Sequence, residues 1–272
     1  MQRLQLLLKG LLVLCSFFMG GIAVAATTQP VQLIVPKLVT VTDQKKCIED
    51  PGQEYCLEIS LTLETTGLPW LDNVLLERLD LADKKPDEQL VDIPAHLQEL
   101  KQHADSLAAE QYADIKAVRE SDDPYFISYD TIESIRFIAQ RHHLASFKQF
   151  SYSFSGGAHG MHSTSYLLFD LNTRRQLLLA DILQPFTHLQ LFDELRERYQ
   201  QSYPEYEQNW LNESRSKQAQ ILLTDNFVFN EKGLTFSYPP YVLGPYSEGE
   251  VRLSLDYDQI KQIVKPEYFF SY

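Results

Sequence analysis

The chain has 272 residues, 24 Lys+Arg against 37 Asp+Glu, a formal charge of −13, and 44% hydrophobic and 12% aromatic residues. This is a folding composition rather than a disordered one, long enough for one large domain or two small ones around a sizeable core. The acidic balance argues against nucleic acid as the main partner, because phosphate binding needs a basic face; it favours cationic partners.

The N-terminus carries Arg3 and Lys9, an apolar run from Gly10 to Val24, and the end Ala23-Val24-Ala25-Ala26. A basic start, a short apolar run and an Ala-x-Ala end make a secretory signal peptide, with cleavage expected after Ala25. The run is too short to span a bilayer comfortably, so an uncleaved anchor ranks second. Leu14 before Cys15 disfavours a lipoprotein. Cleavage would take 25 residues from 272, leaving 247, and two positive charges from −13, leaving −15. The expected localisation is periplasmic or secreted. Cys47 and Cys56 then remain, and the Pro51-Gly52 pair between them suits a chain reversal that lets the sulfurs meet. A disulfide is expected in an oxidising compartment; a metal or redox pair lacks C-x-x-C spacing.

In chain order, residues 31–41 are β-branched and apolar around Pro36, as in an edge strand. Tyr55, Leu57, Ile59, Leu61 and Leu63 alternate with polar residues and predict a half-buried strand. Leu71, Val74, Leu75 and Leu79 predict a helix over 69–81, followed by a solvated linker at 83–88. Leu97, Leu100, Ala104, Leu107, Ile115 and Val118 form the core stripe of a longer helix over 94–119. Long antiparallel strands are expected over 124–139 and 144–155, with His142-His143 as a polar turn, and another strand over 166–171. Helices follow near 189–199 and 203–221. Phe227 to Tyr238 reads as a hairpin in which Gly233 supplies a positive φ to a bulged turn. A strand over 251–255 and a short helix over 257–264 end the chain. Helices and strands mix without regular βαβ alternation, so the expected class is α+β with antiparallel sheets and packed helices, two related parts forming one compact module.

Few residues offer chemistry. His159 and His162 stand three apart in a glycine-rich loop, and as neutral imidazoles they could ligate a metal given a third ligand; Asp170 is the nearest carboxylate. Ser155 has no G-x-S-x-G elbow, and no H-E-x-x-H pattern, phosphate loop or dinucleotide fingerprint is present, so no catalytic residue, metal or cofactor is assigned. Asn212-Glu213-Ser214 matters only in a glycosylating host. More informative is the stretch from Tyr238 to Gly249. Its prolines and glycines fix an irregular loop, and Tyr238, Tyr241 and Tyr246 offer rigid amphipathic area suited to recognition or, equally, to covering a sheet edge.

Gly156-Gly157-Ala158-His159-Gly160, the Phe169-Asp170-Leu171 strand and the 227–249 segment resemble the RsiV-type extracytoplasmic module, a family of bacterial domains of unknown function. The likeness extends to the lysozyme-binding ectodomain of RsiV-type anti-sigma factors and, in the first half, to the module attached to PdaC-type peptidoglycan deacetylases. It covers about residues 47–266. It implies a PdaC-like part at 26–155, an RsiV-like part at 156–272, and binding rather than turnover. No sigma-binding segment and no deacetylase domain with an Asp and paired-His zinc motif is recognised in the chain, so neither activity is carried over.

The expected function is therefore that of an exported envelope binding module for a cationic, lysozyme-like protein or a cell-wall component, with Gly157, His159, His162, Tyr238, Pro240, Tyr241 and Tyr246 as candidate partner contacts. No nucleic-acid partner and no stable membrane span after cleavage are expected. The competing expectation is a metal-dependent glycan-processing enzyme built on His159 and His162.

Overall fold

The computed structural model describes residues 32–50, 53–79, 92–122, 125, 127–204 and 209–269. The expected signal peptide, the Pro51-Gly52 turn, the 83–88 linker and Pro124 at the start of an expected strand lie outside them. Among the described residues no helix is long and apolar enough to cross a membrane.

The fold is α+β and rests on two sheets. Six strands, β1 (Lys37–Asp50), β2 (Gln53–Thr65), β3 (Tyr129–Arg141), β4 (Leu144–Phe154), β5 (Met161–Asp170) and β6 (Arg175–Leu177), lie side by side in sequence order. Three more, β7 (Phe227–Phe229), β8 (Gly233–Tyr238) and β9 (Val251–Asp256), form a separate sheet. The alternation of β2 is realised fully: Tyr55, Leu57, Ile59, Leu61 and Leu63 are all buried. β1 runs well past its expected end at residue 41, because its length is set by pairing with β2 rather than by an apolar pattern; its polar second half stays in register to Asp50 opposite Gln53. Cys47 and Cys56 face each other in that register and form a disulfide.

One pair departs from the antiparallel expectation. β2 and β3 are parallel, and their connection carries α1 (Pro69–Glu77) and α2 (Ile93–Arg119). Parallel neighbours need such a crossover, whereas hairpins join the antiparallel pairs. Pro69 opens α1 where its missing N–H costs nothing, and buried Asp72 accepts the backbone N–H and hydroxyl of Thr66 at 2.6 and 2.7 Å, fixing the entry angle. On α2, Leu100, Ala104, Ile115 and Val118 are buried as the stripe requires.

The boundary expected after residue 155 falls in the turn between β4 and β5, which pair from Leu144 opposite Asp170 to Ser153 opposite Met161. Two apolar cores lie against these strands. Ala145, Phe147, Leu167 and Phe169 join α1, α2 and β2 in the first, while Leu144 and Leu168 join the second, with α4 (His188–Ser202) and the three-stranded sheet. β4 and β5 are thus apolar on both faces at this end, which is why 166–169 is a continuous apolar run rather than an alternating one. Around the second core lie α3 (Leu179–Ile182), α5 (Arg215–Leu222) and α6 (Tyr257–Ile260).

The hairpin of β7 and β8 is present, but Gly233 plays another part than expected. It is absent from the positive-φ glycines, and it is buried where an added Cβ would lie 1.9 Å from the carbonyl oxygen of Leu255 on β9. The residue is glycine because a neighbouring backbone approaches it closely, not because the turn needs a left-handed residue.

Candidate functional site

The turn between β4 and β5 is built by glycine. Gly156 and Gly157 have φ of 87° and 92°, conformations that a residue with a Cβ rarely adopts. Gly160 is needed for space: a Cβ there would lie 2.5 Å from the ring of Tyr152. Between them stands His159.

The chain between β8 and β9 supplies the other half. Tyr238 and Pro240, expected as partner contacts, are buried. Tyr238 is only 1% exposed and donates its hydroxyl to the Leu222 carbonyl at 2.7 Å, so it is a core residue of the second sheet. Burial pushes its phenol far up, and it stays neutral. The reason is its place in the sheet: Tyr238 ends β8, the middle strand of three, all six of whose residues are buried. Of the three tyrosines, Tyr241 is exposed and Tyr246 half-buried. Tyr241 is 57% exposed and has a φ of 71°, a left-handed conformation that costs a residue with a side chain about 1–2 kcal/mol.

The two loops share one face. The His159 ring stacks on Tyr246, with centroids 3.8 Å apart and planes 16° from parallel. Tyr246 donates its hydroxyl to the Gly160 carbonyl at 2.7 Å, and the Tyr241 hydroxyl lies 3.2 Å from His159 Nε2. His159 Nδ1 lies 3.0 Å from the same Gly160 carbonyl, which can only accept. Nδ1 therefore carries a proton, and in the neutral ring Nε2 accepts from Tyr241. Both ring nitrogens are engaged, which leaves no free base for Ser155.

His162 is not in the loop but on β5, half-buried opposite Tyr152 and edge-on to Tyr246 at 5.9 Å. Tyr246 thus touches both histidines. Among the described residues, the one group of three His, Cys, Asp or Glu side chains close enough for a common ion is Cys47, Glu54 and Cys56, and its sulfurs form the disulfide. Gly157 is exposed at the tip, with open space around its Cα. Tyr152, on the strand expected over 144–155, supports Gly160 from below; burial, Asp130 and Tyr246 raise its phenol, so it too stays neutral. Exposed Met161 and Val242 adjoin the cluster in sequence.

The strands that carry the two loops are joined by Asn226, just before β7. Among the described residues, 164–166 of β5 have no strand neighbour on one side, since β6 pairs only with 168–170. The Asn226 carboxamide takes that place: its oxygen accepts the Tyr166 N–H at 2.7 Å, and its nitrogen donates to the carbonyls of Thr164 at 2.7 Å and Ser237 at 2.9 Å. One side chain ties the small sheet to the edge of the large one. Nothing in the sequence distinguishes this asparagine from a turn residue.

Comparison with known proteins places two stretches of the chain. Residues 77–162 match the family model described as Deacetylase PdaC, and residues 180–258 match the one described as Protein of unknown function (DUF3298). No curated protein matches. Two solved structures of DUF3298 family proteins share the fold. One, from Pseudomonas aeruginosa, has 18% identity and a TM-score of 0.57 over 89% of this chain and 99% of that one. The other, from Bacteroides fragilis, has 17% identity and a TM-score of 0.61 over 86% and 95%. The chain thus carries one stretch similar to each of two family models, in an α+β fold that it has in common with proteins of the DUF3298 family.

Proposed function

We propose that this chain is an exported binding module of the bacterial envelope, and that the face formed by His159, Tyr241 and Tyr246 docks a cationic protein of the lysozyme type. The observation that carries the reading is the meeting of the two loops: an exposed tyrosine in a left-handed conformation, held by a histidine that is itself stacked on a second tyrosine. Such an arrangement presents ring area with little rotamer freedom left to lose on binding. The formal charge of −13 supports a basic partner, because it raises the rate of encounter and makes association salt-sensitive. The disulfide agrees with an oxidising compartment outside the cytoplasm.

The test is a pull-down of the purified protein with a basic lysozyme at low and at high salt, repeated with Tyr241→Ala. A complex at low salt that weakens with salt and with the substitution supports the reading. Failure to form any complex at low salt removes it.

A further inference from the structure

The first-core face of the large sheet breaks its own pattern. Ile135, Phe147, Leu167 and Phe169 line it and are buried, as that face should be. Two to four residues further along each strand the same face carries Glu133 on β3, Gln149 and Ser151 on β4, and Ser163 and Ser165 on β5. The register sets them in rows: Glu133 is opposite Ser151, Ser151 opposite Ser163, and Gln149 opposite Ser165. These five side chains, with Leu79 and Arg78 at the end of α1, line a cavity of about 160 Å³. A single water needs only roughly 10–15 Å³ measured in this way, so there is room for a molecule of about ten or more non-hydrogen atoms.

The cavity is incomplete as it stands. Among the described residues, Glu133 Oε2 is buried and has no hydrogen-bond partner. A buried carboxylate oxygen without a donor is costly, and native proteins seldom leave one. Burial raises the Glu133 carboxyl above its ordinary value, while the neighbouring Ser151 and Gln149 side chains act in the opposite direction. The five polar side chains are half-buried, so the face turns from apolar core to a polar, partly accessible wall along the same strands.

The lining also defines the chemistry. One positive and one negative side chain give the wall no net charge. Arg78 already donates to the Gln176 side chain, and the Gln149 amide donates to the Arg78 carbonyl at 3.1 Å. Arg78 and Glu133 stand in the same wall, so neither a cation nor an anion meets a lining of single opposite sign. Groups that both donate and accept fit best: a donor for Glu133 Oε2, and acceptors or donors for Ser151, Ser163 and Ser165. Leu79 supplies one apolar surface.

We infer that this cavity binds a small neutral polyhydroxylated molecule of the size of one sugar ring, with a ligand hydroxyl donating to Glu133 Oε2 and the serine row reading its neighbours. The site is separate from the aromatic face. Ser163 and His162 are adjacent on β5, and Ser151 and Tyr152 on β4, so the two sets of side chains point to opposite faces of the same strands.

The test is an NMR titration of the isotopically labelled protein with glucose, N-acetylglucosamine and myo-inositol, and with alanine, ammonium chloride and sodium phosphate as controls. A neutral polyol is expected to give saturable shifts at the amides of Glu133, Ser151, Ser163 and Ser165. Glu133→Ala and Ser163→Val, each checked for folding by circular dichroism, should weaken the binding at least about tenfold, as the loss of a hydrogen bond to a buried group would. Tyr241→Ala should leave it unchanged, which separates this site from the docking face. Absence of saturable shifts with all three polyols overturns the inference, as do shifts seen only with alanine, ammonium or phosphate.

Discussion

The imidazole of His159 lies flat on the phenol of Tyr246, their centroids 3.8 Å apart, although the two residues come from loops of different sheets. The stack is also pinned at its edges, because both rings hydrogen-bond the Gly160 carbonyl. Tyr246→Phe keeps the stack and loses one hydrogen bond, so it should cost about 1 kcal/mol in urea denaturation. Tyr246→Ala loses both and should cost about 2 kcal/mol or more. Equal stability of Tyr246→Ala and the parent would show that the loops are not held in this way.

Asn226 is expected to be worth more than any ring of the site. Removing its carboxamide in Asn226→Ala strands three backbone groups at about 1 kcal/mol each, a loss of roughly 3 kcal/mol. For a chain of this size that corresponds to a fall in melting temperature of about 6–12 °C. Asn226→Asp should not rescue it, because a carboxylate oxygen would replace the donor facing the Thr164 and Ser237 carbonyls. Thermal unfolding of both variants decides the matter.

Gly233 and Gly160 separate two kinds of close approach. In Gly233→Ala the new methyl meets the Leu255 carbonyl oxygen, part of a paired strand that cannot withdraw alone. A loss of at least about 3 kcal/mol, or failure to fold, is expected. In Gly160→Ala the methyl meets the ring of Tyr152, a side chain that can turn away. The smaller loss, about 1–2 kcal/mol, should be accompanied by weaker partner binding, since the carbonyl that pins His159 and Tyr246 belongs to Gly160.

Reduction of the Cys47–Cys56 bridge, or Cys47→Ser with Cys56→Ser, should lower stability by about 2–3 kcal/mol in the chain-entropy picture of so short a loop. The aromatic face lies on other strands, so its partner binding should survive. A reduced protein that melts at the same temperature as the oxidised one would contradict the assignment of a stabilising role.

Two carboxyls give opposite pH dependences. Asp181 is held below its ordinary value by the Arg175 guanidinium at 2.9 Å and by the Leu178 N–H at 2.8 Å. Its contribution is present above the unfolded value near ~3.9 and is lost as the pH falls through the folded one. Glu133 is raised by burial, so folding binds a proton more tightly there, and stability falls as the pH rises from near ~4.3 through the folded value. Glu133→Gln should therefore be more stable than the parent at neutral pH, with the gap closing in acid. Asp181→Asn should be less stable at neutral pH, and its gap should also close in acid. Urea midpoints against pH for the two variants test both signs.

Much of the architecture could be read from periodicity. The alternation from Tyr55 to Leu63 and the stripe from Leu97 to Val118 each have one dominant period and one face to bury, so pattern and burial agree. β1 beyond residue 41 could not be read in this way. Its Thr, Gln and Lys residues carry no apolar signal, and only hydrogen bonding to β2 makes them a strand. Tyr238 and Tyr241 stand three residues apart in one aromatic stretch, yet one is core and the other is surface. That difference follows from where β8 ends, which composition does not mark.

By itself the chain order determined most of the elements, the α+β class, the cysteine pair and the two loops worth watching, because local period, turn chemistry and apolar content act over a few residues; the helix expected over 203–221 is instead a short helical turn at 209–212 and α5. Only the tertiary structure decided that the loops share a face, that Asn226 fastens one sheet to the other, that Gly233 serves a neighbouring backbone, and that five polar side chains open a cavity in a core face. Those facts depend on which strands become neighbours and in what register, and register is set by contacts between residues far apart in the chain.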